Sequence, residues 1–192
     1  LNSQQVLQAL MPYIFSEDTL KVWDCCAASG GKSILIKDHF PRALLTVSDI
    51  RKSILINLQK RFDQAVIKKY RHFVADISDE SFSPKETYDL IVCDAPCSGS
   101  GTWSRTPEQL EFFKKEKIEH YSTLQKKIVQ HAARALRKKG YFLYITCSVF
   151  KEENEEVVNF IQGKLPLKLL SSQYYKGYQQ KADTLFSALF SL

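Results

Sequence analysis

No stretch of the 192-residue chain is apolar for the length a bilayer span needs, and no basic-then-apolar leader stands at its start. A C-x-x-C pair is missing, which argues against a thiol redox module. Internal repeats and low-complexity linkers are missing too, and the length fits one domain with a sizeable core. The five cysteines are an odd number, and the four histidines are scattered. Cys25 and Cys26 are adjacent, and Cys93 and Cys97 have three residues between them. Such spacing does not make a zinc site, so no metal is expected. Without a secretory context the thiols read as reduced and the protein as cytoplasmic, with no membrane partner. A start at Leu rather than Met fits a piece of a longer protein.

What is present is ordinary in bulk: 44% hydrophobic and 25% charged residues. Lys and Arg number 27 against 21 Asp and Glu, a net charge of +6, which permits a nucleic-acid partner without requiring one. The basic clusters "FFKKEKIEH", "LQKKIVQ" and "ALRKKGY" suit solvated helix faces equally well. Apolar runs alternate with longer amphipathic segments. Strands are predicted at 20–25, 43–49, 72–76, 88–94 and 141–147, where Val, Ile, Leu, Tyr and Phe concentrate. Helices are predicted near 31–40, 51–66, 107–136, with a break around 115, and 152–163. "KKG" at Lys138–Gly140 reads as a helix end followed by a turn. The C-terminal tail reads as a closing pair of strands. Val6, Leu7, Leu10 and Met11 have helical spacing in a lead-in over residues 1–15 that should pack on the sheet. The alternation predicts one α/β domain over 1–192: an open, mostly parallel sheet with helices on both faces.

Ligands of such sheets bind beyond the C-terminal strand ends. Four predicted ends carry an acid, namely Asp24, Asp49, Asp76 and Asp94, and the fifth carries Cys147. "DCCAASGGKS" leaves the first strand and enters a helix. Gly30 and Gly31 let backbone approach a ligand closely. The segment is not a phosphate-binding P-loop, because that pattern needs Gly at position 26, where Cys26 stands; nor is it G-x-G-x-x-G. Asp49, 18 residues past Gly31, sits where an acid can bind ribose hydroxyls. Asp76 can accept a hydrogen bond from an adenine amino group. A glycine turn with two such acids and no phosphate machinery suits S-adenosylmethionine (SAM), although ordinary caps and turns have the same look.

The chain resembles the Sun/RsmB family of RNA cytosine-C5 methyltransferases. "DCCAASGGK" is similar to the family's D-x-C-A-A-P-G-G-K, and "DAPCSGSG" to its D-x-P-C-S-G-x-G. "ITCSVFKEENEEVV" resembles its T-C-S followed by E-N-E. Arg105, Pro107 and Gln125 fall where the family has R-x-P and Q, and "DTLFSAL" resembles its closing D-G-F-F-x-A. The resemblance implies the Rossmann-like fold of class I SAM-dependent methyltransferases with an antiparallel C-terminal strand pair. It implies a cofactor loop of Cys26, Ala27, Ala28, Ser29, Gly30, Gly31 and Lys32, with Asp49, Asp76 and Asp94 beside it. Ser29 replaces the family proline, so a looser loop and weaker SAM binding are expected. Thr184 replaces a glycine, which puts the packing of the last turn in question. The family carries an RNA-binding segment before this domain, and only a short lead-in precedes the first strand here.

The resemblance also implies the chemistry. Carbon 5 of cytosine is a poor nucleophile, and a thiolate added to carbon 6 converts the ring into an enamine. By the family's logic Cys147 is that nucleophile and Cys97 assists release. Asp94 would hydrogen-bond N3 and the exocyclic amino group. Lys32 would stabilise the thiolate or the added ring. Cys25, Cys26 and Cys93 lie in or beside apolar strands and read as core thiols. The target base must be unpaired or flipped out. Trp103 and Arg105 are candidates to stack on it, although Trp103 equally suits core packing. Lys114, Lys115 and Lys117 are candidates for phosphates. Ribosomal RNA is the first expected substrate and transfer RNA the next; oligomeric state is not legible. Two rivals remain: a non-catalytic scaffold, and a SAM enzyme acting on DNA cytosine or a small molecule. DNA C5-methyltransferases use the P-C cysteine as nucleophile, so a single cysteine substitution separates that mechanism.

Overall fold

A computed structural model describes residues 2–15, 19–178 and 182–192. Five parallel strands, β1 (Lys21–Asp24), β2 (Leu44–Asp49), β3 (Tyr70–Val74), β4 (Tyr88–Asp94) and β5 (Leu136–Thr146), are joined at one edge by β6 (Lys168–Tyr175) and β7 (Leu185–Ser191). The order is β3-β2-β1-β4-β5-β7-β6, with β7 antiparallel to both β5 and β6. The helices are α1 (Asn2–Gln5), α2 (Gly31–His39), α3 (Lys52–Gln64), α4 (Glu108–Glu111), α5 (Glu116–Ala133) and α6 (Glu155–Lys164). Strand order reverses at β1, so the crevice between the ends of β1 and β4 is where a ligand is expected in this architecture.

Alternating side chains feed two cores. Val22, Leu45, Val47, Leu90, Val92, Leu143 and Ile145 meet Ile36, Phe40, Leu55, Leu58 and Phe62 of α2 and α3 on one face. Trp23, Ile91, Phe142 and Tyr144 meet Ile128, Val129 and Ala132 of α5 and Val157 and Ile161 of α6 on the other. With both faces covered, the central strands are buried almost throughout, which is why they read as continuous apolar runs rather than as alternation. Among the described residues no helix is long and apolar enough to cross a membrane.

Several boundaries differ from the sequence reading. β3 runs two residues earlier than 72–76. It stops because the Asp76 carboxylate folds back: its Oδ1 accepts from the Ser78 N–H at 2.9 Å and the Ser78 hydroxyl at 2.6 Å. "KKG" is not the end of a helix. α5 stops at Ala133, and Lys138–Gly140 forms an irregularity inside β5, with Lys139 at φ 63° and a register shift against β4 between Tyr88 and Leu90. The expected break near 115 separates α4 from α5. In the lead-in, one turn of α-helix gives way to a 3₁₀ turn at Val6–Leu10. Val6, Leu7 and Leu10 are fully buried, whereas Met11, expected to pack with them, is 38% exposed.

Candidate active site

Main-chain geometry shapes the loop from β1 into α2. The Ala27 N–H donates to Ser48 O at 2.9 Å, the Ala28 N–H to Asp49 Oδ2 at 3.0 Å, and the Gly30 N–H to Ala27 O at 2.8 Å. Ala28 (φ 46°) and Gly30 (φ 81°) both take left-handed conformations. Gly30 has no alternative, because a Cβ there would stand 2.7 Å from Phe62 Cε1 and 2.9 Å from Leu58 Cγ of α3. At Gly31 a Cβ would meet nothing within 4 Å, which leaves the start of α2 open to a ligand. Ser29, standing where the family has proline, is held from outside: Arg61 Nη1 of α3 donates to its carbonyl at 3.0 Å and its hydroxyl at 2.7 Å.

The strand-end acids are not equivalent. Asp24 is fully buried. Ser33 donates to its Oδ2 at 2.6 Å, and its Oδ1 has no partner among the described residues. Burial pushes its carboxyl up to about 7, the Ser33 hydrogen bond opposing and the charge of Asp94 adding. Asp49 is also buried. Its Oδ1 accepts from the Arg51 N–H at 2.9 Å and Arg51 Nε at 3.0 Å. Asp94, ending β4, pairs through Oδ2 with Lys32 Nζ at 2.6 Å. Asp76, by contrast, is exposed and lies two residues past β3.

Across the crevice the P-C loop after β4 and the T-C-S turn after β5 converge. Cys97 Sγ and Cys147 Sγ lie 3.2 Å apart, both partly buried. The parallel β4–β5 register and the Gly101 N–H bond to Cys147 O at 2.8 Å bring two thiols separated by 50 residues together. Gly101 is the glycine this junction needs, since a Cβ there would sit 2.2 Å from Thr184 O. Thr184 itself fits: its N–H donates to Gly101 O at 2.9 Å, and its hydroxyl accepts from the Gly177 N–H at 3.4 Å. The replacement of the family glycine thus leaves the last turn closed.

The thiol pair is electrically unequal. The hydrogen bond from Cys97 holds Cys147 below the usual thiol range; burial opposes this, Asp94 repels, and Lys32 assists. The same partnership, with burial, pushes Cys97 well up. Of the two, Cys147 is the thiol that gives up its proton more readily. Burial alone would lower the Lys32 ammonium. The Asp94 charge and hydrogen bond, with Asp24 and Cys147 behind them, hold it above its ordinary value. Lys32 stays charged beside Cys147.

A buried carboxylate that sequence reasoning gave no role supports both cysteine turns. Glu153 is fully buried. Its Oε2 accepts from the Ser98 N–H at 2.8 Å and Gln125 Nε2 at 3.1 Å, and its Oε1 accepts from the Ser148 hydroxyl at 2.8 Å. Ser98 follows Cys97 and Ser148 follows Cys147. Gln125 also donates to Pro96 O at 2.9 Å, and Asn154 Nδ2 to Ser148 O at 2.9 Å. The signal was the E-N-E after T-C-S and the isolated Gln125, both noticed without a task to give them.

The expected RNA contacts are less uniform. Trp103 is half-buried, edge-on to Phe113 (4.8 Å between centroids) and to Phe150 (5.9 Å). Neither phenylalanine was singled out in the sequence. Arg105 is bidentate to Asp183, at 3.0 and 2.8 Å, joining the loop after the P-C turn to the segment before β7. Lys114, Lys115 and Lys117 are all exposed.

Two solved structures share this arrangement of strands over nearly the whole chain. The crystal structure of PH0851 superposes with a TM-score of 0.89 at 26% identity, covering 99% of this chain and 45% of that one. That of NSun6 from Pyrococcus horikoshii with SFG superposes at 0.86 and 23% identity, covering 100% and 51%. The strand order and crevice are those of the Rossmann-like fold of SAM-dependent methyltransferases. The family model for 16S rRNA methyltransferase RsmB/F matches residues 11–187, and the chain belongs to that family. Ribosomal RNA small subunit methyltransferase B of Xylella fastidiosa is 32% identical over 156 residues, 81% of this chain and 36% of that protein. Its namesake in Shewanella oneidensis is 31% identical over 138 residues, 72% and 32%. The chain thus spans about a third of the length of these curated relatives. SAM is the family's cofactor. The open start of α2 and the Asp24 Oδ1, without a partner among the described residues, leave room for a nucleoside cofactor without phosphates.

Proposed function

We propose that this chain transfers a methyl group from SAM to carbon 5 of a cytosine in RNA, ribosomal RNA first and transfer RNA next. The observation that carries the reading is the 3.2 Å approach of Cys97 and Cys147 beside the Lys32–Asp94 pair. The loop from Cys26 through Lys32, with Asp49 and Asp76 at the ribose and adenine ends, would hold the cofactor, and Asp94 closes the side toward the base. SAM, when bound, supplies a methyl group on a sulfonium.

The Cys147 thiolate bonds to carbon 6 of the base, and electron density moves to carbon 5, which takes the methyl. Asp94 fixes the ring through N3 and the exocyclic amino group. Lys32 favours the thiolate before addition. Once Cys147 is a thioether, its charge no longer raises Cys97. Cys97 can then lose its proton to solvent and accept the carbon-5 proton, while the electrons of that C–H bond expel Cys147 as thiolate. Lys114, Lys115 and Lys117 are offered to phosphates. Phe112, 69% exposed beside the Trp103–Phe113–Phe150 cluster, is a better stacking surface than Arg105, whose guanidinium is drawn to Asp183. Raised salt should weaken RNA binding steeply.

The test is covalent trapping on RNA containing 5-fluorocytosine in the presence of SAM. Wild type should form an adduct, and Cys147→Ala should form none and transfer no methyl. On ordinary RNA, Cys97→Ala should accumulate an adduct that wild type releases. Trapping by Cys147→Ala would refute the nucleophile assignment. Normal turnover by Cys97→Ala, with no slow-migrating band, would remove its role in release.

A further inference from the structure

A second thiol cluster lies behind the cofactor loop. In the β1–β4 register Asp24 pairs with Val92, so Cys25 follows level with Cys93, and the Cys25 N–H donates to Val92 O at 2.9 Å. Paired residues of parallel strands point to the same face. Cys26, the next residue, turns back toward them. The Sγ atoms of Cys25, Cys26 and Cys93 all lie within 4.8 Å of one another. Cys25 and Cys93 have no exposed surface, while Cys26 is partly exposed and opens the cofactor loop. This cluster takes no part in the chemistry proposed for Cys97 and Cys147, and sequence spacing alone does not assemble it.

We propose that Cys25, Cys26 and Cys93 bind one soft monovalent cation of the cuprous type. Metal–sulfur bonds of about 2.3 Å set three sulfurs about 4 Å apart around a trigonal ion, a small contraction of the cluster as it stands. Among the described residues no histidine or carboxylate oxygen joins the three sulfurs, so the fourth donor that structural zinc requires is missing. Sulfur-only, three-coordinate donation favours the softest ions. Charge points the same way. A single positive ion that displaces one thiol proton to solvent leaves the buried site neutral, whereas a divalent ion must displace two to do so. Entry is through Cys26, and the filled site ties the first residue of the cofactor loop to β1 and β4.

The proposal is independent of the methyl-transfer reading, and its test keeps the two apart. Silver(I), which undergoes no redox change, is titrated into the reduced full chain carrying Cys97→Ser and Cys147→Ser, against a weak competing ligand. One equivalent should bind, with thiolate-to-metal absorption in the ultraviolet. Adding Cys93→Ala should weaken binding by more than the roughly 10- to 100-fold that loss of an outer-shell partner costs. Cys26→Ser, on the loop and away from the core, should do the same, and it serves if Cys93→Ala fails to fold. Undiminished uptake in either variant, or no uptake once Cys97 and Cys147 are removed, overturns the site.

Discussion

Where β1 and β2 end, the loop proposed to hold the cofactor is shaped by main chain: a left-handed Gly30 wedged against Phe62 and Leu58, and N–H groups pointed at Ser48 O and Asp49. Where β4 and β5 end, the two cysteine turns are held by side chains, above all the Glu153 carboxylate with Ser98, Ser148 and Gln125 on its two oxygens. The first arrangement takes its inner donors from backbone and adds the Arg61 side chain at Ser29. The second concentrates its geometry in one buried group, where removing a partner leaves polar atoms unsatisfied. Damage to the first half should appear as lost cofactor affinity, and damage to the second as lost chemistry with cofactor affinity intact.

The largest effect should come from the acid at the base of the cofactor half. Unfolded Asp24 titrates at 3.8 and folded Asp24 at about 7. Below pH 3.8 both states hold the proton. Between the two values only the folded state keeps it, so stability falls as pH rises, and the penalty is complete above about 7. It amounts to about 4 kcal/mol. Urea unfolding at pH 4 and pH 8 should show this loss in wild type and not in Asp24→Asn; parallel pH profiles would contradict it.

Next, Glu153→Ala should cut methyl transfer by about 100-fold, since misplacing reacting atoms by an ångström costs that much. SAM affinity, read by calorimetry, should stay near wild type. A variant that loses SAM binding instead would erase the contrast between the halves. Arg61→Ala should weaken SAM by about 5- to 10-fold by freeing Ser29, the range for one lost hydrogen-bonding partner. Ser29→Pro should restore most of it, because the ring pre-sets φ. If Ser29→Pro rescues nothing, Arg61 is not standing in for the missing proline. The smallest effect belongs to Arg105→Ala. Its bridge to Asp183 joins an exposed arginine to a partly exposed acid, and stability should change by less than about 1 kcal/mol.

The sheet and its helices were legible because β4 carries the apolar run 90–93 and the helical segments are amphipathic. The errors fell at Lys138–Gly140 and at the end of β3. In the first, a bulge carries turn-like residues inside a strand; in the second, the Asp76 side chain competes with the ladder. In the site, Cys97, Cys147, Lys32 and Asp94 stood out because motifs carry them. Arg61 did not, for its partner Ser29 is 32 residues away and no local pattern joins them.

The sequence by itself determined the layered α/β fold, the glycine loop and the two cysteine motifs, because local periodicity and contiguous motifs encode those features. Only the tertiary structure decided which thiol gives up its proton more readily, which acid is buried, and that Cys25, Cys26 and Cys93 form a cluster of their own. Proton affinity and ligand geometry depend on distances between strands remote in the chain, and those distances exist only once the sheet's register has formed.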